Sequence, residues 1–425
     1  MRFGLLTAAM VLVGCSSTSV TPTPSTDAGT TSDGSVTPPA KSGLPCAVQD
    51  VLSQRCHQCH GPTVQFGAPM PLVTYEDLTA TATGGRIIDR VIARVKDDKK
   101  PMPQPPNPRL GTADLATLQT WAQTMPRSDE TCAYKPPLPT PTADCTPDRS
   151  IRPASKWTMP KDKSNEYVCY GVDITEAQKR HITAMIPHIV NNKIVHHVLL
   201  LEAPTAQSST PFACPSGMAT TWRMLYGWAP GGAALATPPE AGFPLEGTKH
   251  YVVQLHYNNV QALEGETDDS GIDLCTTPTL RANDADVMAF GNLRFTIPPN
   301  SPNYTIDCGI TVPNNFTGLH FFAAMPHMHN LGAKIETTLI QGGKTIDMGS
   351  VPSWDFNAQP WKPIDATVNG GDQIRTTCAW NNNTGQPVKY GSNTEDEMCY
   401  SFTMYYPRIS GLFSWEVPAA TSQCK

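Results

Sequence analysis

Charge is scarce in this sequence. Asp, Glu, Lys and Arg together make up 16% of its 425 residues, and the formal net charge is −6. That leaves no electrostatic footprint for nucleic acid. Long apolar runs are also missing: residues 5–13 are apolar but too few to span a bilayer. No nucleophile elbow, glycine-rich phosphate loop or paired-carboxylate motif stands out, so hydrolysis and phosphoryl transfer have no visible machinery. No short-period repeat occurs. Proline, by contrast, is abundant at 41 residues, and mean hydropathy is −0.29. Such a chain reads as soluble, loop-rich and β-dominated, with room for two or three domains.

The first residues point to export. Arg2 and the short apolar run read as a signal peptide. Leu12-Val13-Gly14-Cys15 has the form of a bacterial lipobox, so residues 1–14 are expected to be cleaved and Cys15 lipidated. A plain secretory signal with an incidental cysteine is the alternative. Ser16 favours the outer membrane, and several acyl chains anchor where one would not. The expected place is the bacterial cell envelope, with membrane contact only through the lipid. Residues 15–43 are rich in Thr, Ser, Pro, Gly and Asp and read as a flexible tether.

Ordered sequence begins near Leu44 with a small helical block, residues 44–134. Residues 48–55 read as a helix. Ile87, Ile88, Val91, Ile92 and Val95 recur at helical spacing, and Thr112 could cap a helix carrying Leu115, Leu118 and Trp121. Within the block lies Cys56-His57-Gln58-Cys59-His60. C-x-x-C-H places two thiols for the two vinyl groups of a haem and an imidazole beneath its iron. A disulfide or a zinc half-site is the competing reading, but no second thiol pair follows at zinc-finger spacing. Cys56, Cys59 and His60 are therefore the expected attachment residues of one haem c. The sixth ligand should be a thioether or an imidazole. Met102, in a Pro-rich loop, is preferred over Met70. Of the 13 cysteines, one goes to lipid and two to haem, and an even number remains for disulfides.

A proline-stiffened linker, residues 135–150, leads to a different texture. Strand-like runs at 194–201, 251–257, 320–324, 334–340 and 401–406 are separated by Gly, Pro and Asn turns. Two β-sandwiches suit this length, residues 151–282 and 283–425. His327 and His329 are two apart and share a strand face, and Met398 would add a soft thioether, a set that suits copper. His196 and His197 are adjacent. On a regular strand they point to opposite faces, so joint ligation with His256 requires the backbone to bend. Without that bend they read as one core and one surface histidine, and His256 or Met398 alone would read as core.

Four segments appear in order: Tyr167-Val-Cys169, His196-His197-Val-Leu, Leu225-Tyr-Gly-Trp228-Ala-Pro-Gly231 and Val253-Gln-Leu-His256-Tyr. Three more follow: His327-Met-His329-Asn-Leu-Gly332, Asp396-Glu-Met398-Cys399 and Met404-Tyr-Tyr-Pro407. Residues 151–425 thereby resemble the copper type II, ascorbate-dependent monooxygenases. The resemblance implies two all-β jelly-roll sandwiches facing a solvent-filled cleft. It implies an electron-storing copper on His196, His197 and His256. A second copper, on His327, His329 and Met398, would bind dioxygen and face the substrate. It also implies disulfides Cys169–Cys275, Cys308–Cys424 and Cys378–Cys399, which leaves Cys46–Cys132 and Cys145–Cys214 by elimination. The peptide-amidating members hold a carboxylate with residues that are replaced here by Met325-Pro326, Tyr400 and Phe402. Peptide amidation is therefore not expected, nor is a catechol-amine substrate supported. The cleft near Met325, Tyr400, Phe402 and Met404 is expected to be apolar.

The combined expectation is a monooxygenase hydroxylating a C–H bond of a small apolar molecule with dioxygen. Electrons would come from ascorbate or a redox protein and pass through the haem. Two other classes stay open: a surface electron-transfer protein, and a copper-binding or adhesion module with a degenerate site.

Overall fold

The computed structural model describes residues 41–425 except 99, 105–106, 138–142, 215–218, 220, 357–358, 392–394 and 410–414. The expected signal peptide, Cys15 and most of the tether lie outside the described residues. Among the described residues, no helix is long and apolar enough to cross a membrane.

The first block holds five helices: α1 (Cys46–Arg55), α2 (His57–His60), α3 (Tyr75–Thr79), α4 (Ile87–Lys96) and α5 (Thr112–Thr124). α3 opens on a capping box. The Thr74 hydroxyl accepts from the Asp77 N–H, and the Asp77 carboxylate accepts from the Thr74 N–H. α5 differs from expectation, because Thr112 is its first helical residue and the cap position falls to Gly111 without a side-chain bond. Ile88 of α4 and Leu118 of α5 pack with Leu44, Leu52 and Leu78 into a core of its own, all fully buried. The Cys46–Cys132 disulfide ties the start of α1 to the end of the block.

The rest of the chain is almost all β. The first part holds β1 (Arg149–Ile151), β2 (Asn165–His188), β3 (Val195–Ala203), β4 (Arg223–Trp228), β5 (Ala241–Asn258) and β6 (Gly271–Thr277). They hydrogen-bond in the order β1-β6-β2-β5-β3-β4 within one nine-stranded sheet. A continuous ladder here was not foreseen. It arises because β2 and β5 are 24 and 18 residues long, and β2 pairs with both β5 and β6. Register shifts at Leu245/Gly247 and Cys275/Thr276 mark bulges, which bend strands.

The second part holds β7 (Asp286–Gly291), β8 (Ser301–Thr311), β9 (Leu319–His327), β10 (Gly332–Gln341), β11 (Lys344–Asp347), β12 (Lys362–Val368), β13 (Gln373–Asn382), β14 (Tyr400–Tyr406) and β15 (Gln423–Cys424). Two larger sheets form, β7-β14-β9-β12 and β11-β10-β13-β8-β15, beside a short pairing of Thr296–Ile297 with Val388–Lys389. Phe290, Phe321 and Tyr405 of one sheet meet Leu339 and Ile374 of the other in a shared core, so this half is a sandwich. Its strands show why: in β10, Ile335, Thr337 and Leu339 are buried while their neighbours are not.

Five disulfides form, and two correct the sequence-based pairing. Cys169 bonds Cys214, not Cys275, and Cys145 bonds Cys275, not Cys214. A disulfide needs its two Cα atoms within about 7 Å. Cys169 lies near one end of β2, where it pairs with Phe212 and the Cys214 N–H donates to the Tyr167 carbonyl. Cys275 pairs with Ala184 near the other end of β2. There the linker arrives, since the Asp148 N–H donates to the Leu274 carbonyl. The remaining bonds are Cys308–Cys424 and Cys378–Cys399.

Candidate metal centres

The first cluster depends on one irregularity of β3. His197 is paired with His256 of β5, but the next β5 residue, Tyr257, is paired with Val195. His196 is thus the extra residue of a bulge. A bulge re-aims side chains, which lets adjacent histidines reach the same side. The three Nδ1 atoms converge: His196 to His256 at 3.1 Å, and His197 to each of the others at 3.3 Å. The Nε2 of His256 donates to the Asn165 amide oxygen at 3.0 Å, which leaves the Nδ1 lone pair facing the cluster. Tyr167 stacks on the same ring at 4.3 Å and 4°. Burial, with His196 nearby, pushes His256 down to about 3. His197 is also held well below the ordinary range by burial, then by His256, His196 and His327. Three neutral imidazole lone pairs aimed at one point repel one another, and a cation between them relieves this. The donor set fits copper.

In the second cluster, β9 delivers His327 at its last position, register-paired with Tyr400 of β14. His329 follows two residues later, its ring 5.1 Å from that of His327 and at 85° to it. Here each Nδ1 is engaged, His327 with the Gln359 amide oxygen at 2.6 Å and His329 with the Asp396 carbonyl at 3.0 Å. Both rings are thus anchored through Nδ1, whereas in the first cluster Nδ1 faces the neighbouring imidazoles.

Met398 is 5% exposed and sits beside a group the sequence reading passed over. Glu397 is fully buried. Its carboxylate accepts from the backbone N–H of His329 (3.0 Å), Leu331 (2.7 Å) and Met398 (3.3 Å) and from the Trp380 indole (2.9 Å). Burial pushes it up to about 7, against the pull of those donors. One carboxylate thereby ties the His329 loop to the Met398 backbone. A lone acidic residue beside a proposed ligand gives no such signal in sequence.

The expected open, apolar cleft is not found at the residues proposed to line it. Met325, Tyr400, Phe402 and Met404 are each at most 3% exposed. They join one core with Leu225 and Trp228 of the first sheet. A Cβ at Gly227 would lie 3.1 Å from Leu199 Cδ2 and 3.3 Å from Met325 Sδ, so the halves meet closely.

In the helical block, Cys56 and Cys59 are free while the other ten described cysteines are bonded. Burial pushes both thiols up to about 12. They line a cavity of about 480 Å³ together with His60, Met70 and Met102. The Nδ1 of His60 donates to the Met70 carbonyl at 2.8 Å, which leaves Nε2 free to serve as a ligand. His57 is bonded to the Leu72 carbonyl and is not among the lining residues.

Residues 153–264 match the model of the copper type II ascorbate-dependent monooxygenase N-terminal domain, and residues 283–415 match that of the C-terminal domain. Human DBH-like monooxygenase protein 1 is 29% identical over 280 residues, 59% of this chain and 46% of its own. Tyramine beta-hydroxylase of Caenorhabditis briggsae is 28% identical over 254 residues, 53% of this chain and 42% of its own. Horse dopamine beta-hydroxylase is 29% identical over 271 residues, 57% and 44% of the two chains. This chain therefore spans a little under half the length of the curated relatives it matches. Among solved structures, an allantoicase aligns with a TM-score of 0.17 at 10% identity, over 55% of this chain and 84% of its own, too slight a likeness to bear on the fold. Over the two matched stretches, which together make up more than half of the chain, the protein belongs to the copper type II ascorbate-dependent monooxygenase family, whose cofactor is copper.

Proposed function

We propose that this protein is a copper-dependent monooxygenase that hydroxylates a C–H bond of a small apolar molecule. One observation carries the reading: three Nδ1 atoms within 3.3 Å of one another, with a second histidine pair in the other half anchored through its own Nδ1 atoms. His196, His197 and His256 hold one copper, and His327, His329 and Met398 hold the other. Bound copper supplies one-electron storage and the activation of dioxygen. The reaction consumes the substrate, dioxygen, two electrons and two protons, and yields the alcohol and water. The chain's own part is to fix ligand tautomers through Asn165, Gln359 and the Asp396 carbonyl, and to seat the Met398 backbone on Glu397. The surrounding apolar core excludes water. The lack of a basic residue before His327 supports an uncharged substrate.

The helical block is read as a haem c domain with Cys56 and Cys59 as thioether links and His60 as axial ligand. Met102 is favoured as the sixth ligand. The Met70 carbonyl accepts from His60 Nδ1, so the Met70 backbone would lie away from an iron held on His60 Nε2. A haem held there would supply one-electron transfer toward the first copper, with ascorbate or a redox protein as the external reductant. In this reading Cys15 anchors the chain to the bacterial cell envelope.

The test is metal and product analysis. Two coppers per chain and an ¹⁸O label from ¹⁸O₂ in the alcohol are expected. Copper that binds neither azide nor carbon monoxide, with no labelled product from a panel of apolar substrates, would favour a carrier of electrons only.

A further inference from the structure

The cavity beside Cys56 and Cys59 is not closed by the helical block alone. His196, Pro230 and Asn258 of the first β half complete its wall. His196 is also one corner of the three-imidazole cluster. The block is clamped at this spot. The Phe66 N–H donates to the Asn192 carbonyl, and the Gln261 amide donates to the Ala68 carbonyl at 3.0 Å. The Phe66 ring meets the edge of Trp228 at 6.0 Å.

Two glycines allow the approach. Gly67 has φ +71°, and a Cβ there would lie 3.1 Å from the Asn258 side chain. Gly231 has φ +87°, and a Cβ there would collide with the Asn107 side chain. Both contacts cross between the block and the β half. The anchoring positions are neighbours of the cluster: Asn192 precedes His196 by four residues, and Asn258 follows His256 by two. A tethered carrier that docks in many poses needs no such seat.

We infer that the helical block is a fixed electron inlet, and that His196 is both a ligand of the first copper and a wall of the haem cavity. This rests on the haem reading given above. Arg90 and Arg94, which also line the cavity, offer cationic partners for the haem carboxylates. In the transfer, ferrous haem loses one electron and becomes ferric, and cupric copper on the cluster becomes cuprous. No bond breaks and no proton moves, since His196 stays a neutral ligand. The second electron needs an external one-electron donor, a redox protein or a small reductant, to reduce the haem again.

The full-length protein tests this in two ways. Its absorption spectrum after denaturation first reports whether haem is covalently attached; a chain matured with haem supply that carries none sinks the haem reading and the inlet with it. In haem-bearing protein, cupric EPR relaxation should be strongly enhanced by ferric haem, and reduction of the haem by a light pulse should be followed by transfer to copper faster than turnover. The double substitution Phe66→Ala with Gln261→Ala should slow that transfer at least tenfold, at unchanged haem content, copper content and cupric spectrum. An unchanged transfer rate in the double variant, or the absence of relaxation enhancement in the unsubstituted protein, overturns the inlet.

Discussion

At the scale of single residues, the two clusters present their imidazoles differently: His256 is anchored through Nε2 on Asn165, His327 and His329 through Nδ1 on Gln359 and the Asp396 carbonyl. His256→Ala should reduce bound copper from two ions per chain to one, read by metal analysis after dialysis. Asn165→Ala should weaken the first copper about 10- to 100-fold, because it frees the tautomer of His256. Acid sensitivity follows from the depressed histidines. The folded state holds His256 near 3, below the ordinary imidazole value of 6.5, so folding favours the neutral ring. Its contribution to metal-free stability is complete above pH 6.5 and is lost as pH falls toward 3, by up to about 1.4 kcal/mol per pH unit. Urea midpoints of chelated protein should therefore drop across that window. The meeting of His196, His197 and His256 could be anticipated from the sequence because few residue types bind copper. Which ring nitrogen is anchored could not be, because Asn165, Gln359 and Asp396 are distant in the chain.

At the scale of elements, the bulge in β3 decides whether the first cluster exists. Adjacent histidines on a regular strand point apart, and the register shift at His196 brings them together. Periodicity of two cannot reveal a one-residue insertion, because the bulge is defined by its partner strand. The strands themselves were readable from alternation and turn residues, as in β10. The Cys378–Cys399 bond joins β13 to the residue after Met398. Replacing both cysteines with serine should cost about 3 kcal/mol of stability. It should also weaken copper at the second site more than at the first, as seen by separate titration of the two ions. The exchanged partners of Cys169 and Cys275 show the limit of family likeness. A linker cysteine, Cys145, is captured by β6, and only the path of the chain determines that.

At the scale of the whole molecule, the helical block is held against the first β half around Phe66. Copper binds the folded chain at sites that unfolding destroys, so saturating it should raise the thermal midpoint. At 100 times the dissociation constant, one ion adds about 2.7 kcal/mol. Scanning calorimetry of copper-loaded and chelated protein should show the rise in the β transition.

By itself the sequence supplied the candidate ligands of the proposed copper and haem sites, the order helical block then β, and the family. These depend on local chemistry: thiols three positions apart, imidazoles on strands, apolar alternation. Tertiary structure alone decided that His196 belongs to two cavities, that Glu397 binds the His329 loop to the Met398 backbone, and that the expected cleft lining is core. Each of those is a contact between segments far apart in the chain, and spacing along a chain carries no record of what lies across from it.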